Sequence, residues 1–186
     1  MKKARYFLIL SFAFLFITAC KDNNNNDDTN IISDDNFYKS VGNTIIKTYV
    51  EIFNEVLDTM PVGNINVNVN ILGGSVIITG TDAYDTTTKV TTADLIFNMT
   101  DIKYIYLYND GSSNWSTELT LNGVTTYKGT FSSSAKDVTH HSDLLSIKGS
   151  VTYKGNVRII DGQGAVDIAR KTNATTVSIF GHTVAW

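Results

Sequence analysis

The chain has a single cysteine, Cys20. No disulfide can form within it, so a stable domain must rest on packing and hydrogen bonds. Positive charge is also scarce. Of 15 basic residues against 18 acidic ones, Lys2, Lys3 and Arg5 lie ahead of Cys20, which leaves 12 against 18 and a net charge of −6 from Cys20 onward. That balance argues against a nucleic-acid partner. Glutamate is limited to Glu51, Glu55 and Glu118, which leaves few candidates for a pair of carboxylates flanking a glycosidic bond. No Gly-x-Ser-x-Gly, His-Glu-x-x-His or Ser-x-x-Lys motif stands in a supporting context, so neither an enzyme nor a cofactor is expected. The uncharged apolar stretch from Tyr6 to Ile17, broken only by Ser11, falls short of the roughly 20 residues that a membrane-spanning helix needs.

What is present begins with the order of the first twenty residues. A positive segment, an apolar stretch and the small residues Thr18 and Ala19 make a secretory signal. The tetrapeptide Ile17-Thr18-Ala19-Cys20 resembles the lipobox of bacterial lipoproteins. The resemblance implies that residues 1–19 are removed by cleavage between Ala19 and Cys20, and that Cys20 then carries two or three acyl chains. One acyl chain binds a membrane only reversibly, at about 0.8 kcal/mol per buried methylene, whereas two or three hold stably. The expected partner is therefore a membrane, reached through the lipid on Cys20. Residues 20–32 are polar and acidic, from Lys21-Asp22 through Asn23–Asn26 to Asn30, and read as a disordered tether. The lysine and acidic residues after the cysteine resemble the segment of lipoproteins exported to the bacterial surface, here diluted with asparagine. Position 21 is not the aspartate of the inner-membrane retention signal, so the outer membrane of the cell envelope is the expected location.

Residues 33–186 suit one domain. One proline, 13 glycines, many threonines and nine each of tyrosine and phenylalanine favour strands, because β-branched and aromatic side chains fit a pleated, half-buried surface. One helix is expected first. Phe37, Val41, Ile45, Tyr49, Ile52, Phe53, Val56, Leu57 and Met60 fall at steps of three and four, with Ser33 as N-cap and Pro61 as terminator. Gly42 and the β-branched Thr44, Ile45 and Ile46 weaken its first half, leaving Ile45 to Asp58 as the secure part. From Asn64 the period changes to two, with Ile65, Val67, Val69 and Ile71 alternating with asparagines. Strands are expected over Ser75–Thr81, Lys89–Thr100, Ile102–Tyr108, Ser116–Leu121, Val124–Phe131, Leu144–Tyr153, Asn156–Ile160, Ala165–Arg170 and Thr176–Ala185. Turns are expected at Asn122-Gly123 and Gly162-Gln163-Gly164, and a polar loop over Ser132–Ser142.

Glycine recurs inside these strands at Gly80, Gly129, Gly149 and Gly181, a device by which sheets curve. The expected fold is mainly β: a curved antiparallel meander of eight to ten strands, an open or closed barrel, with one N-terminal amphipathic helix over its concave face. A helix followed by a long meander resembles the open-barrel carriers and receptors among bacterial lipoproteins, which implies an apolar ligand held between sheet and helix. Tyr104 and Tyr106 on one face, with Ile105 and Leu107 on the other, are the candidate ligand-facing residues.

The remaining chemistry reads as structural. His140, His141 and Asp143 with His182 have metal-ligand types, but adjacent histidines on a strand point to opposite faces, and surface histidines in a loop are expected without a metal. Asp94, Glu118, Asp161 and Asp167 are the strand-associated carboxylates, read as surface charge. Tyr104, Tyr106, Tyr108 and Trp115 have the chemistry of a sugar-stacking platform, although rings so placed pack more often against neighbouring strands. The functional expectation is an exported, lipid-anchored envelope protein acting in interaction or structure, with a carrier or receptor of an apolar ligand as the alternative.

Overall fold

The computed structural model describes residues 32–56, 63–111 and 113–186. Ala19, Cys20, the tether as far as residue 31 and the expected helix end at Leu57–Met60 with Pro61 lie outside the described residues. Helix α1 spans Asp34–Val56. It is followed by β1 (Gly63–Ile71), β2 (Gly74–Asp85), β3 (Val90–Asn109), β4 (Asn114–Phe131), β5 (Lys136–Tyr153), β6 (Asn156–Lys171), β7 (Ala174–Ile179) and β8 (His182–Ala185).

The helix starts on the expected cap. The Asn36 N–H donates to Ser33 Oγ at 3.4 Å and the Phe37 N–H to the Ser33 carbonyl at 2.9 Å, with Asp34 and Asp35 at the positive end of the dipole. Gly42 and its β-branched neighbours do not interrupt it. A Cβ on Gly42 would lie 2.8 Å from Val177 Cγ1, so the missing side chain lets the helix settle against β7. The hydroxyls of Thr44 and Thr48 donate to the carbonyls of Ser40 and Thr44, which keeps both satisfied in the core. Ile32, placed in the tether by the sequence reading, is buried and accepts a hydrogen bond from Arg158 through its carbonyl.

The strands pair antiparallel in chain order, β1 to β8, in one curved sheet that does not close. The expected meander with one N-terminal helix is what forms. The helix lies in the concavity and touches both edge strands, β1 and β8, as well as β3, β4, β5 and β7. It is buried on nearly every side: Phe37, Val41, Ile45, Tyr49, Ile52 and Val56 join the core, while Lys47, Asn54 and Glu55 stay exposed. In β1 Ile65 is buried and the alternating asparagines face solvent.

Several expected breaks lie inside continuous strands. The polar residues there form bulges instead of turns. Thr100 and Asp101 of β3 oppose the single residue Asn122 of β4, and Asp143 and Leu144 of β5 oppose Ala165 of β6, with a further irregularity in β4 at residues 123–125. Asp101, at φ +52°, is pinned by its N–H donating to Asn122 Oδ1 at 2.8 Å and by its carboxylate accepting from Asn122 Nδ2 at 3.2 Å. The bulges on β3 and β5, on either side of the irregularity in β4, bend the sheet along one line. Gly162 and Gly164 are within β6 and carry the ring of Phe180, which a Cβ on Gly162 would meet at 2.7 Å. The expected last strand is a hairpin, β7 and β8, turning at Phe180-Gly181. The expected loop over Ser132–Ser142 narrows to Ser132–Ala135, because β5 already begins at Lys136.

Candidate functional site

The C-terminal half of α1 lies over an aromatic patch on the concave face. Tyr49 and Phe53 each meet Phe97 edge to face at 5.5 Å, and Phe53 meets Tyr127 at 5.0 Å. The Tyr49 hydroxyl donates to Thr125 Oγ1 at 2.8 Å. Alternation along the strands brings these rings together: Tyr127 of β4 stands beside His140 of β5, and His140 beside Ile168 of β6, all inward-facing.

His140 is 2 % exposed, and neither ring nitrogen has a hydrogen-bond partner. Its imidazole packs against the rings of Tyr49 at 4.3 Å and Tyr127 at 4.8 Å. Burial, assisted by the positive charge of Arg170, pushes its pKa down to about 3, so the ring is neutral. It therefore holds one N–H donor and one acceptor, both unmet. Burial also raises the Tyr127 hydroxyl to about 12 and that of Tyr49 further, so both phenols keep their protons.

Above this ring opens a pocket of about 200 Å³ between helix and sheet. Tyr49, Phe53, Tyr127 and Phe131 wall it, His140 is its buried floor, and Lys136 and the half-buried Arg170 stand at its rim. Burial lowers the pKa of Arg170. Among the described residues no carboxylate lies within salt-bridge distance of Lys136 or Arg170, whereas Lys128, Lys148 and Arg158 are paired with Asp94, Asp161 and Asp34. An apolar enclosure with a neutral donor–acceptor ring below and two cations above suits a small ligand with polar ends.

The residues singled out in the sequence lie elsewhere. Tyr104 and Tyr106 are on the helix side, where Tyr104 donates to Glu51 Oε1 at 3.4 Å and Lys47 sits 5.7 Å over the Tyr106 ring. Neither belongs to the pocket. Ile105 and Leu107 are 55 % and 69 % exposed on the opposite, outer face, so a ligand between sheet and helix would not meet them. The rings of Tyr106, Tyr108, Trp115 and Tyr153 stack on one another in a ladder, and Lys154 covers Tyr153, so the faces a sugar would use are largely taken. The histidines go to three places. His141 turns outward and bonds Asp167 at 2.6 Å and Asp143 at 3.2 Å, and the Asp167 bond leads the upward shift of its pKa. His182 bonds Asp35 at 3.2 Å and stacks on Tyr38. Asp94, Glu118, Asp161 and Asp167 are all exposed and do not converge.

Sequence reasoning missed His140 and Arg170. The available signal was the alternation of Val138, His140 and Ser142 with Thr139 and His141, hidden among the polar residues of an apparent loop.

No family model matches the chain, and no curated protein or solved structure is significantly similar to it.

Proposed function

We propose that the protein is a lipid-anchored lipoprotein of the bacterial cell envelope whose domain is a non-catalytic receptor, holding a small ligand between the sheet and the C-terminal half of α1. His140 carries the receptor reading. A buried donor or acceptor left unmet costs about 1–3 kcal/mol, and here both lie on one ring that lines a pocket. The ligand is small: about 200 Å³ is below the roughly 300–1,000 Å³ of sites for drug-sized molecules. A long acyl chain has no matching space there.

The anchoring half rests on Ile17-Thr18-Ala19-Cys20 and on where the helix begins. Fourteen residues lead from Cys20 to Asp34, a reach of at most about 50 Å. That end of the helix is fastened by the Arg158–Asp34 and His182–Asp35 pairs. Tyr49 lies fifteen residues further along α1, about 22 Å at 1.5 Å per residue. The pocket is thus set well away from the attachment of the tether.

Val50 lines the pocket, and Val50→Phe would fill it. Native mass spectrometry of the full chain purified from bacterial membranes is expected to release a small molecule from the wild type and not from this variant. Identical spectra from two folded chains would remove the receptor reading. In the same cells Cys20→Ser should move the protein from the membrane fraction to the soluble one. Retention in the membrane would remove the lipid anchor.

A second reading, an interaction or structural lipoprotein, is favoured by the outer face, where Ile105, Leu107, Val157 and Ile159 are each more than half exposed. On that reading the Val50→Phe chain keeps its function in the envelope.

A further inference from the structure

We propose that the ligand of the pocket over His140 is a small monocarboxylate with a single ring or short chain, its carboxylate on Arg170 and Lys136 and its far end on His140. The inference rests on the reading of the pocket as a ligand site and adds the chemistry of what enters it.

Charge is the first argument. From Cys20 onward the chain carries 18 carboxylates against 12 basic residues, so acids are plentiful. Yet among the described residues only three of the eleven lysines and arginines, Lys128, Lys148 and Arg158, stand within salt-bridge distance of one, so burial and not lack of a partner alone singles out Arg170. Arg170 and Lys136 are not among the three, and both stand at one opening. Arg170 is half-buried on the concave side, where an unpaired charge has lost part of its hydration with nothing to offset it. The missing group is an anion, and the planar fork of a guanidinium matches a carboxylate through two parallel hydrogen bonds.

The walls supply the second argument. Four aromatic side chains enclose the space between the rim and His140, so the body that joins the two polar ends is apolar and flat or narrow. At about 30 Å³ per water-sized group, about 200 Å³ holds one ring or a short chain. At the bottom, the neutral imidazole holds a donor and an acceptor, both covered from solvent. A hydroxyl on the far end of the ligand meets either one once the rings of Tyr49 and Tyr127 that pack on the imidazole shift aside. A hydroxylated ring acid satisfies all three regions at once.

The test is calorimetric titration of the full chain in lipid nanodiscs, with empty nanodiscs as the blank. The probes are 4-hydroxybenzoate, benzoate, hexanoate, neutral 4-hydroxybenzamide and inorganic phosphate. We expect 4-hydroxybenzoate to bind tightest, benzoate more weakly, and the amide about tenfold more weakly than its acid, the worth of one charge-assisted contact. Arg170→Gln should abolish the advantage of acid over amide, and His140→Phe the advantage of the hydroxylated acid over benzoate. Equal binding of acid and amide by the wild-type chain would overturn the carboxylate assignment while leaving the pocket as a ligand site. Phosphate binding as tightly as 4-hydroxybenzoate would overturn it in favour of a plain anion site at the rim. If no probe binds at millimolar concentration and the pocket holds water alone, both the carboxylate and the receptor reading fall. The comparison of acid with amide needs no variant, so it stands even if Arg170→Gln does not fold.

Discussion

The imidazole of His140 lies 4.3 Å from the ring of Tyr49, centroid to centroid, at an inclination of 32°. One ring comes from the fifth strand and the other from the helix, so this contact joins the two layers of the fold where the pocket opens. The contact is between neutral rings, because burial denies His140 its proton and Tyr49 keeps its own. An aromatic pair of this kind contributes about 0.5–1.5 kcal/mol beyond its buried area. Protonating the imidazole would place an unpaired charge beneath the helix.

Acid should therefore destabilise the domain through this residue. The folded pKa of His140 is depressed to about 3, against about 6.5 for an unfolded histidine. Between those values the unfolded chain binds a proton that the folded chain does not, so stability is full above pH 6.5 and falls as the pH drops toward 3. The slope is about 1.4 kcal/mol per pH unit, or roughly 2 kcal/mol lost between pH 7 and pH 5. His141, with its raised pKa, acts in the opposite sense but is half exposed and contributes little. Urea unfolding of wild type and His140→Phe at both pH values checks this. The variant should lose about 2 kcal/mol less on acidification, and parallel losses would mean that His140 is protonated in the fold.

The hydroxyl of Tyr49 and that of Thr125 form a buried pair at 2.8 Å. Tyr49→Phe leaves the threonine oxygen without its donor and should cost about 1–2 kcal/mol. Thr125→Val added to Tyr49→Phe should cost less than the sum of the two single changes, because no polar atom is then stranded. Strict additivity in denaturant midpoints would show that the two hydroxyls are not coupled.

Gly149 sits in β5 at φ +154°, and a Cβ there would collide with the Glu118 carbonyl oxygen on β4. Gly155, at φ +80° in the turn between β5 and β6, has nothing within 4 Å of an added Cβ. Both substitutions to alanine carry backbone strain of about 1–2 kcal/mol, but only the first adds a backbone clash. Gly149→Ala should thus cost about 3 kcal/mol or more, and Gly155→Ala about 1. Thermal unfolding of the pair decides it: equal losses would mean that β4 and β5 do not approach as closely as this.

The periodic parts of the fold were legible because one period dominated each segment. Residues 37–56 could only be a helix needing cover on most of its circumference, and 64–71 alternates without exception. What misled was polarity within strands. Asp101, Asn122-Gly123 and Asp143 carry the residue types of turns, yet they bulge a continuous ladder, and only cross-strand pairing separates the two cases. The same disguise hid the pocket. His140 stands among the polar residues of an apparent loop. Arg170, although it falls on the row of Val166 and Ile168 in the expected strand, gives no sign of a pocket until Lys136 and the helix are placed beside it. The proposal that Cys20 is lipidated rests on the first twenty residues alone and owes nothing to the fold.

Facing was the other property that local pattern left open. In 102–108 the tyrosines and the aliphatic residues alternate cleanly, but either set could have met the helix. The helix takes the tyrosines: Glu51 accepts from Tyr104, and Lys47 covers Tyr106. Ile105 and Leu107 are left outside, and a lysine at either position should change stability by no more than about 0.5 kcal/mol. By contrast Leu119, fully buried on the next strand, should cost about 2–5 kcal/mol as alanine through the cavity it leaves. Neither lysine variant should alter binding of 4-hydroxybenzoate. A loss near that of Leu119→Ala on placing a lysine at Leu107 would show that the outer face is covered in the working protein, by a second copy or by a partner in the envelope, and the interaction reading would then stand ahead of the receptor.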